Sequence, residues 1–557
     1  MQSHEYLIVF KPGNVVFSQN IWHVMLASCF SAAKNQNEPF FIAREDKKKI
    51  EKSPLKRARN FSKTLFLPDI YMVGISRSFI KGSLIYTAIG ALPMASAILL
   101  VPFYMVNLST ADFGALSIYL AFSLLVQLLV TYSFDSSLYI HYHEFKNDKA
   151  KLSAFVSSAF VLMMVIAAGV SIIVLPTGGS ILAVIFTHQD IAFFPNGWLA
   201  LGGGIFQAFF KVHSNLLQSR EKPETFFWAN LLLFTGIFIF TIIGLNIFPE
   251  TLIGPLGGRL LALALASVWV LFRIFREFGF HFDTRLLGAS FSFNFYSFIY
   301  QLQQWVINYF DRILMVFYLP LASVGVYDFA IKCLIGIELL MNGLNGAIVP
   351  KVMKLMKVGE TKGTSQEINR YYNGFIAVIM IVVCAAIWIV PIAIDWISTY
   401  LQRPAYKLSM SVVPYIAILY VGRSVRSFFS LPYSILKYTK PLPVIYFVVA
   451  VVKIGGMVLL VKHLGVIGVI VSTAASIIIE IVLLYLLSRN RFNFRFNVYK
   501  VLIAPVILLT FIVVAESTML QSFENLRHFI YGVLCILVLA IIYRIELKNI
   551  KLSILTK

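Results

Sequence analysis

Seven polar side chains recur along one apolar stretch: Ser290, Asn294, Ser297, Gln301, Gln304, Asn308 and Asp311. Their intervals alternate between four and three, so one face of a single helix carries all of them. Hydroxyls and amides in that register can hydrogen-bond a polyhydroxylated molecule, and seven such groups turned to lipid would be very costly. The stripe is therefore expected to line a water-filled cavity; hydrogen bonding between helices is the competing use of the same residues. A shorter stripe holds Gln207, Lys211, Ser214 and Gln218. Ionisable residues also fall inside apolar runs: Lys211, Arg259, Arg312, Lys332, Arg423, Arg426 and Lys453, with the acids Asp135, Asp311, Asp328, Glu338 and Glu480. Charges buried in such runs are functional candidates by default. Arg423 and Arg426 are three apart near the middle of a run, with no acid in their own helix, and Lys453 is central in the next run. Two free guanidinium groups suit a phosphate or acidic-sugar anion, because the planar fork matches oxygen pairs. Asp328 and Lys332, four apart, can pair on one helix face. Lys211 and Arg259 lie nearer the ends of their runs and can snorkel to an interface.

These residues sit in a chain of 557 residues that is 59% hydrophobic and only 13% charged. Soluble domains carry about 25% charged residues, so lipid is the only solvent that can accept this much apolar surface. Fourteen apolar runs are long enough to cross a bilayer: 82–106, 113–140, 152–175, 197–219, 225–246, 253–273, 286–318, 325–350, 371–394, 410–437, 443–462, 465–488, 500–516 and 528–544. Residues 177–194 are placed in a loop. The expected fold is an all-α integral membrane protein of about fourteen transmembrane helices.

The net charge of +21 would suggest nucleic acid in a soluble protein. Here the charge sorts by side. With the N-terminus cytoplasmic, the loops 141–151, 219–224, 273–285, 351–370, 437–442, 489–500 and 544–557 hold 23 Lys and Arg; the opposite loops hold Arg403, Lys407, Lys462 and Arg527, which is 4. That asymmetry is the positive-inside pattern, and it predicts both termini in the cytoplasm and no nucleic-acid partner. Residues 1–80 are different: they contain Lys47, Lys48, Lys49, Lys52, Lys56, Arg57, Arg59 and Lys63. They are expected to form a disordered extension, or to precede a true start at Met72.

The chain echoes itself. Gly114 opens the second run and Gly325 the eighth, 211 apart; Gly254-Pro-Leu-Gly257 and Gly465-Val-Ile-Gly468 repeat that offset, and Pro223 and Pro441 are 218 apart. Each landmark maps a run onto the one six later, so two six-helix lobes, 81–275 and 286–488, are related by an axis along the membrane normal. Residues 500–557 add two helices and a tail.

Other chemistry is missing from the sequence. There is no GxxxxGK[ST] loop, HExxH or GxSxG. Cys29, Cys333, Cys384 and Cys535 are far apart, without metal spacing. His141 and His143 read as solvated histidines at a helix end. No catalytic residue, metal site or cofactor is expected, and the short outer loops leave little room for a membrane glycosyltransferase or polymerase.

The stretch from Tyr309 to Lys332 has the pattern Asp311-Arg312, Val324-Gly325-Val326-Tyr327, Ala330 and Lys332. It resembles the joint between spans 7 and 8 of the polysaccharide-biosynthesis, O-antigen (Wzx-type) flippases of the MATE-like MOP superfamily. Phe113-Gly114 through Tyr119 resembles the opening of that family's span 2. The loop after the second run, His141 to Lys151, lacks the Gly-Asp-Arg-Lys type sequence of major-facilitator transporters. The resemblance covers about residues 75–490. It implies a V-shaped pair of lobes in the bacterial inner membrane, alternating access, and translocation of undecaprenyl-pyrophosphate-linked oligosaccharide. It also implies the phospholipid bilayer as surroundings, a polysaccharide polymerase and glycosyltransferases as working partners, and a monomer. On that view Arg423, Arg426, Lys453, Arg312, Lys332 and Lys211 bind the anion, and the stripe Ser290, Asn294, Ser297, Gln301, Gln304 and Asn308 binds sugar. Asp311, Asp328, Asp135 or Glu480 would couple an ion, and Pro93 and Pro102 would let the first span bend. A cation-coupled drug antiporter is the alternative; its cavity should be acidic and aromatic.

Overall fold

A computed structural model describes residues 92–187, 189, 191–357, 362–435, 440–488, 496–518 and 525–547. The basic extension 1–80, Met72 and Cys29 lie outside the described residues. Among the described residues every regular element is helical. In chain order these are α1 (Leu92–Asn107), α2 (Thr110–Thr131), α3 (Phe134–Phe145), α4 (Lys149–Ile185), α5 (Trp198–Ser219), α6 (Pro223–Ile247), α7 (Ile253–Phe278), α8 (Thr284–Val316), α9 (Leu321–Cys333), α10 (Ile335–Lys357), α11 (Lys362–Tyr400), α12 (Val413–Ile435), α13 (Leu442–Leu464), α14 (Val466–Ser488), α15 (Ala504–Thr518) and α16 (Asn525–Ile542).

Local chemistry sets several of these boundaries. Ser109 accepts from the Asp112 N–H while Asp112 accepts from the Ser109 N–H, a capping box that starts α2. Asp148 caps α4; the Lys151 backbone N–H it accepts lowers its carboxyl pKa below the usual value. Asp283 accepts from Arg285 and Leu286 N–H to start α8. Pro223 sits in the first turn of α6, where its missing N–H costs nothing.

Among the described residues, seven helical segments are long and apolar enough to span a membrane by length and composition, or eight if the bent pair 404–411 and 413–433 is one span. Residues 177–185, expected in a loop, instead continue α4 past Pro176. The run carries no charged residue, so in lipid helix is the conformation that satisfies its backbone. Two expected spans are broken. Tyr132 and Ser133, at φ 41° and 59°, separate α2 from α3, and Leu334 separates α9 from α10.

Glycine sets the closest helix contacts. A Cβ on Gly114 would stand 2.2 Å from the Leu321 carbonyl oxygen, and one on Gly325 would stand 1.8 Å from that of Thr110. The two glycines that the 211-residue echo aligns thus face each other, pressing α2 on α9. The helix pairs α6–α7 and α13–α14 close the same way: a Cβ at Gly258 would meet the Phe240 carbonyl at 2.2 Å, and one at Gly468 that of Leu460 at 2.6 Å. Only a residue without a side chain allows this approach.

The end of the molecule holding the start of α2 and α9 is stitched further. Tyr406 donates to the Leu108 carbonyl at 2.9 Å, Arg403 donates to that of Val106, and Phe113 packs edge-on against Phe329 and Tyr406, which lie tilted on each other.

Candidate functional site

Helix α8 is bonded to helices on either side of it in the chain. Trp305 Nε1 donates to the Ala121 carbonyl of α2 at 3.0 Å, and Gln303 Nε2 donates to that of Pro443 in α13 at 3.0 Å. Its polar face is divided between two networks about 15 Å apart along the helix, ten residues at 1.5 Å each.

The first network centres on Gln301. Its Nε2 donates to Ser133 Oγ at 3.1 Å and to Asp135 Oδ1 at 3.2 Å. Lys211 Nζ lies 3.0 Å from Asp135 Oδ2 and 3.5 Å from Gln301 Oε1. The left-handed Tyr132 and Ser133 make this possible: the break at the head of α3 sets Ser133 and Asp135 beside α5 and α8. Such non-glycine conformations cost about 1–3 kcal/mol and persist where neighbours hold them. Lys211 is therefore paired inside the bundle and does not snorkel. Arg259 does not either: it donates to Gln207 Oε1 at 2.8 Å. Charge without a partner in the interior costs more than pairing it.

The second network is a buried five-charge cluster. Arg312 Nη1 lies 2.8 Å from Asp311 Oδ1, and Arg312 Nη2 lies 2.9 Å from Asp328 Oδ1. Lys332 Nζ lies 2.8 Å from Asp328 Oδ2, and Lys453 Nζ lies 3.1 Å from Asp311 Oδ2. The Tyr327 hydroxyl donates to Asp311 Oδ2 at 3.0 Å, and Lys453 also donates to the Ile307 carbonyl. Lys332 caps the Phe113 ring at 4.2 Å, a cation–π contact that ties the cluster to α2. Three cations face two carboxylates.

Beside this cluster stand Arg423 and Arg426 on α12. The sequence leaves them without acids; the fold supplies one to each from another helix. Arg423 Nη1 is 3.9 Å from Glu338 Oε2, and Arg426 Nη1 is 3.7 Å from Glu480 Oε2. The reading of two unpaired guanidinium groups is corrected, because acids 85 and 54 residues away in sequence are brought up by packing. Both contacts are loose, at the outer limit for an ion pair, and the arginine side chains keep 29% and 33% exposure. Arg423 lies over Tyr420 at 5.1 Å and acts electrostatically on Tyr327 and Lys453. Arg426 acts on Tyr300 and Tyr446, whose rings are 5.3 Å apart. Arg312, Lys332, Lys453, Arg423 and Arg426 therefore form one basic zone, tightly held at one end and loosely at the other. Its net charge, with Asp311, Asp328, Glu338 and Glu480 ionised, is +1.

The rest of the stripe is mixed. Ser290 and Asn294 are buried, and Ser290 donates to the Leu287 carbonyl at 3.0 Å. Asn294 Oδ1 and Gln304 Nε2 are buried with no hydrogen-bond partner among the described residues. Ser297 is half-buried and Asn308 is exposed. Sequence reasoning missed Tyr327, Tyr300, Tyr446 and Ser133. Tyr327 stood within the quoted Val-Gly-Val-Tyr pattern; for the other three no spacing signal exists. Among the described residues no group of His, Cys, Asp and Glu could hold a metal.

The sequence profile of the family described as polysaccharide biosynthesis protein matches residues 79–356. No curated protein matches the chain. Among solved structures, the lipid II flippase MurJ in an inward closed conformation is similar with a TM-score of 0.65 and 16% identity, covering 84% of this chain and 99% of that one. A MATE-family multidrug resistance transporter of the MOP superfamily in an inward-facing conformation gives a TM-score of 0.55 at 14% identity, covering 76% and 96%. At these identities the likeness is one of fold.

Proposed function

With a polysaccharide biosynthesis protein region over residues 79–356 and the fold shared by flippases and transporters of the MOP superfamily as the premise, we propose that this chain is a flippase. Its cargo is an undecaprenyl-pyrophosphate-linked oligosaccharide, a repeat unit of O-antigen, capsule or exopolysaccharide, carried across the inner membrane by alternating access. The observation that carries this reading is the pair Arg423 and Arg426: cations in the membrane interior, partly exposed, each held by a carboxylate only at 3.7–3.9 Å. A guanidinium that is tightly ion-paired has its charge and its best-placed N–H groups committed to that carboxylate; one that is loosely paired can exchange its carboxylate for a pyrophosphate oxygen. Lipid II, named for MurJ, is itself lipid-linked, which fits the same cargo class.

Lys453, Arg312 and Lys332 then act through the field of the buried cluster, and Lys211 through the network at Gln301. Gln304 and Asn308 supply amides for sugar hydroxyls, with Ser290, Asn294, Ser297 and Gln301 completing that face. The lipid tail stays in the bilayer. The two lobes, 81–275 and 286–488, rock about the contact of α2 with α9, with residues 500–557 apart and both termini cytoplasmic. With that orientation the Gly114–Gly325 contact closes the outer end.

Ion coupling falls to Glu480 among the acids Asp311, Asp328, Asp135 and Glu480. Asp311 and Asp328 each touch two cations, and Asp135 is bound on both oxygens. Glu480 has one loose partner, Arg426, and a second oxygen with no hydrogen-bond partner among the described residues. A proton on Glu480 releases Arg426 for the pyrophosphate, so the proton and the cargo favour the same state.

The test is complementation in cells lacking their own flippase for a given repeat unit. Arg423→Ala/Arg426→Ala, expressed at wild-type level, should abolish surface polysaccharide and leave the lipid-linked unit facing the cytoplasm. Wild-type polysaccharide in that variant overturns the reading, and drug efflux by the wild type would point to the antiporter class instead.

A further inference from the structure

Away from the interior site, a groove of about 580 Å3 runs along the outside of α5, α6 and α7. Ligand sites occupy about 300–1,000 Å3. Its floor is made of small or buried residues, among them Ala229, Gly236 and Ala262, and its rim of large exposed ones, among them Trp228 at 59% exposure and Leu232 and Leu265. At one end it meets a second hollow of about 370 Å3, lined by Phe272, Arg273, Arg276 and Glu277. Trp269 and Arg273 line both, so the two are continuous: a long apolar channel opening into a polar head.

The charges at that head favour an anion. Arg273 is held over Trp269 at 5.3 Å and Arg276 over Phe272 at 6.0 Å, and among the described residues neither has a carboxylate within ion-pair distance. Of the two acids lining the hollows, Glu277 is already neutralised by a two-pronged contact with Arg220, one bond of 3.0 Å. Glu224 is the other, and Lys222 stands two residues from it. The helix ends concerned border the loops 219–224 and 273–285, at the basic face of the molecule.

The internal repeat provides a control. At the 211-residue offset, Trp269, Phe272, Arg273 and Arg276 correspond to Glu480, Leu483, Leu484 and Leu487. The equivalent hairpin α13–α14 packs its helices by the same glycine contact but carries no arginine there. The hairpin packing by itself therefore does not call for the two guanidinium groups at this face of α6–α7.

We infer that this groove is a binding site for an anionic phospholipid of the surrounding bilayer. The phosphate sits between Arg273 and Arg276, with Trp228 and Trp269 at the headgroup level, and one acyl chain lies along Gly236 and Ala262. The occupant is a phospholipid because the head is cationic while the channel is apolar, and each feature alone would suit only half of such a molecule. The site is independent of the transport reading.

The test uses the full-length chain purified in a neutral detergent, with bound lipid counted by native mass spectrometry after titration with phosphatidylglycerol, phosphatidylcholine or inorganic phosphate. Phosphatidylglycerol should be retained in preference to the zwitterionic lipid, and phosphate alone should not bind. R273Q/R276Q should weaken phosphatidylglycerol about thirtyfold, from two surface cations near a lipid phosphate. G236L, which fills the channel without changing charge and whose Cβ would meet only ordinary contacts at Ala262 and Phe240, should displace the chain and weaken binding as well. Equal retention of both lipids, an unchanged R273Q/R276Q variant, or phosphate binding as tightly as lipid would overturn the site; a lipid bound to G236L as to wild type would overturn the placement of its chain.

Discussion

Helices α1–α7 and helices α8–α14 use their interior charges differently. In the first set Lys211 is closed on Asp135 and Gln301, and Arg259 on Gln207; each cation has a short polar contact and a structural task. In the second set Arg312, Lys332 and Lys453 are just as tightly held around Asp311 and Asp328, but Arg423 and Arg426 are not. The difference separates charge that holds the bundle together from charge that is available to a ligand. Number of cations is no guide to this; distance to the nearest carboxylate is.

The tight cluster should give the largest effect. Asp311→Ala leaves Lys453 and Arg312 buried with too little negative charge, and breaking a buried pair from one side costs about 3–5 kcal/mol. Thermal unfolding of the purified protein should show it, or the variant should fail to accumulate. The double replacement Asp311→Leu/Lys453→Leu should cost less than the two single changes added together, since the Lys453 ammonium is no longer left without its carboxylate; a cost equal to the sum of the singles would mean that the pair does not interact. In the first set, Lys211→Met removes one partner of Asp135 while Gln301 still donates to it. A loss of about 1–3 kcal/mol is expected, with transport reduced only as far as folded protein is reduced. Transport abolished at full stability would move Lys211 from the structural class to the binding class. At the loose end, Glu480→Gln mimics the protonated acid and frees Arg426. Cargo affinity should rise a few-fold while transport loses its response to a proton gradient. An unchanged proton response assigns coupling elsewhere.

In the proposed transport cycle the outer end is closed by a contact of another kind. Any side chain at Gly325 must displace the Thr110 carbonyl, so Gly325→Val should separate α2 from α9. Spin labels placed across that end should report longer distances than in the wild type, and unchanged distances would show that the contact is not a seal.

The membrane class and the polar helix face were legible in the sequence because both depend on periodicity within one segment. Gly114 and Gly325 were legible as equivalent positions, since a repeat offset is a sequence property. That they touch was not, because an axis of symmetry does not say which equivalent residues lie on it. The loop assigned to 177–194 was wrong over its first nine residues for a local reason: Pro176, Gly178 and Gly179 resemble a turn, yet a helix in lipid must keep its backbone bonds. The partners of Arg423 and Arg426 were hidden because Glu338 and Glu480 lie on other helices, and i to i+4 spacing reads only one. The break at Tyr132 and Ser133 left no signal, as neither residue type favours the left-handed region.

The central claim is that Arg423 and Arg426 hold the pyrophosphate of the cargo. The most direct measurement is the affinity of the full-length chain in nanodiscs for an undecaprenyl-pyrophosphate-linked sugar, wild type against Arg423→Gln/Arg426→Gln. Loss of two charge-assisted hydrogen-bonding groups predicts affinity weakened about a hundredfold or more, with a smaller loss of thermal stability than Asp311→Ala because the existing ion pairs are loose. Equal affinity in the two proteins would contradict the claim.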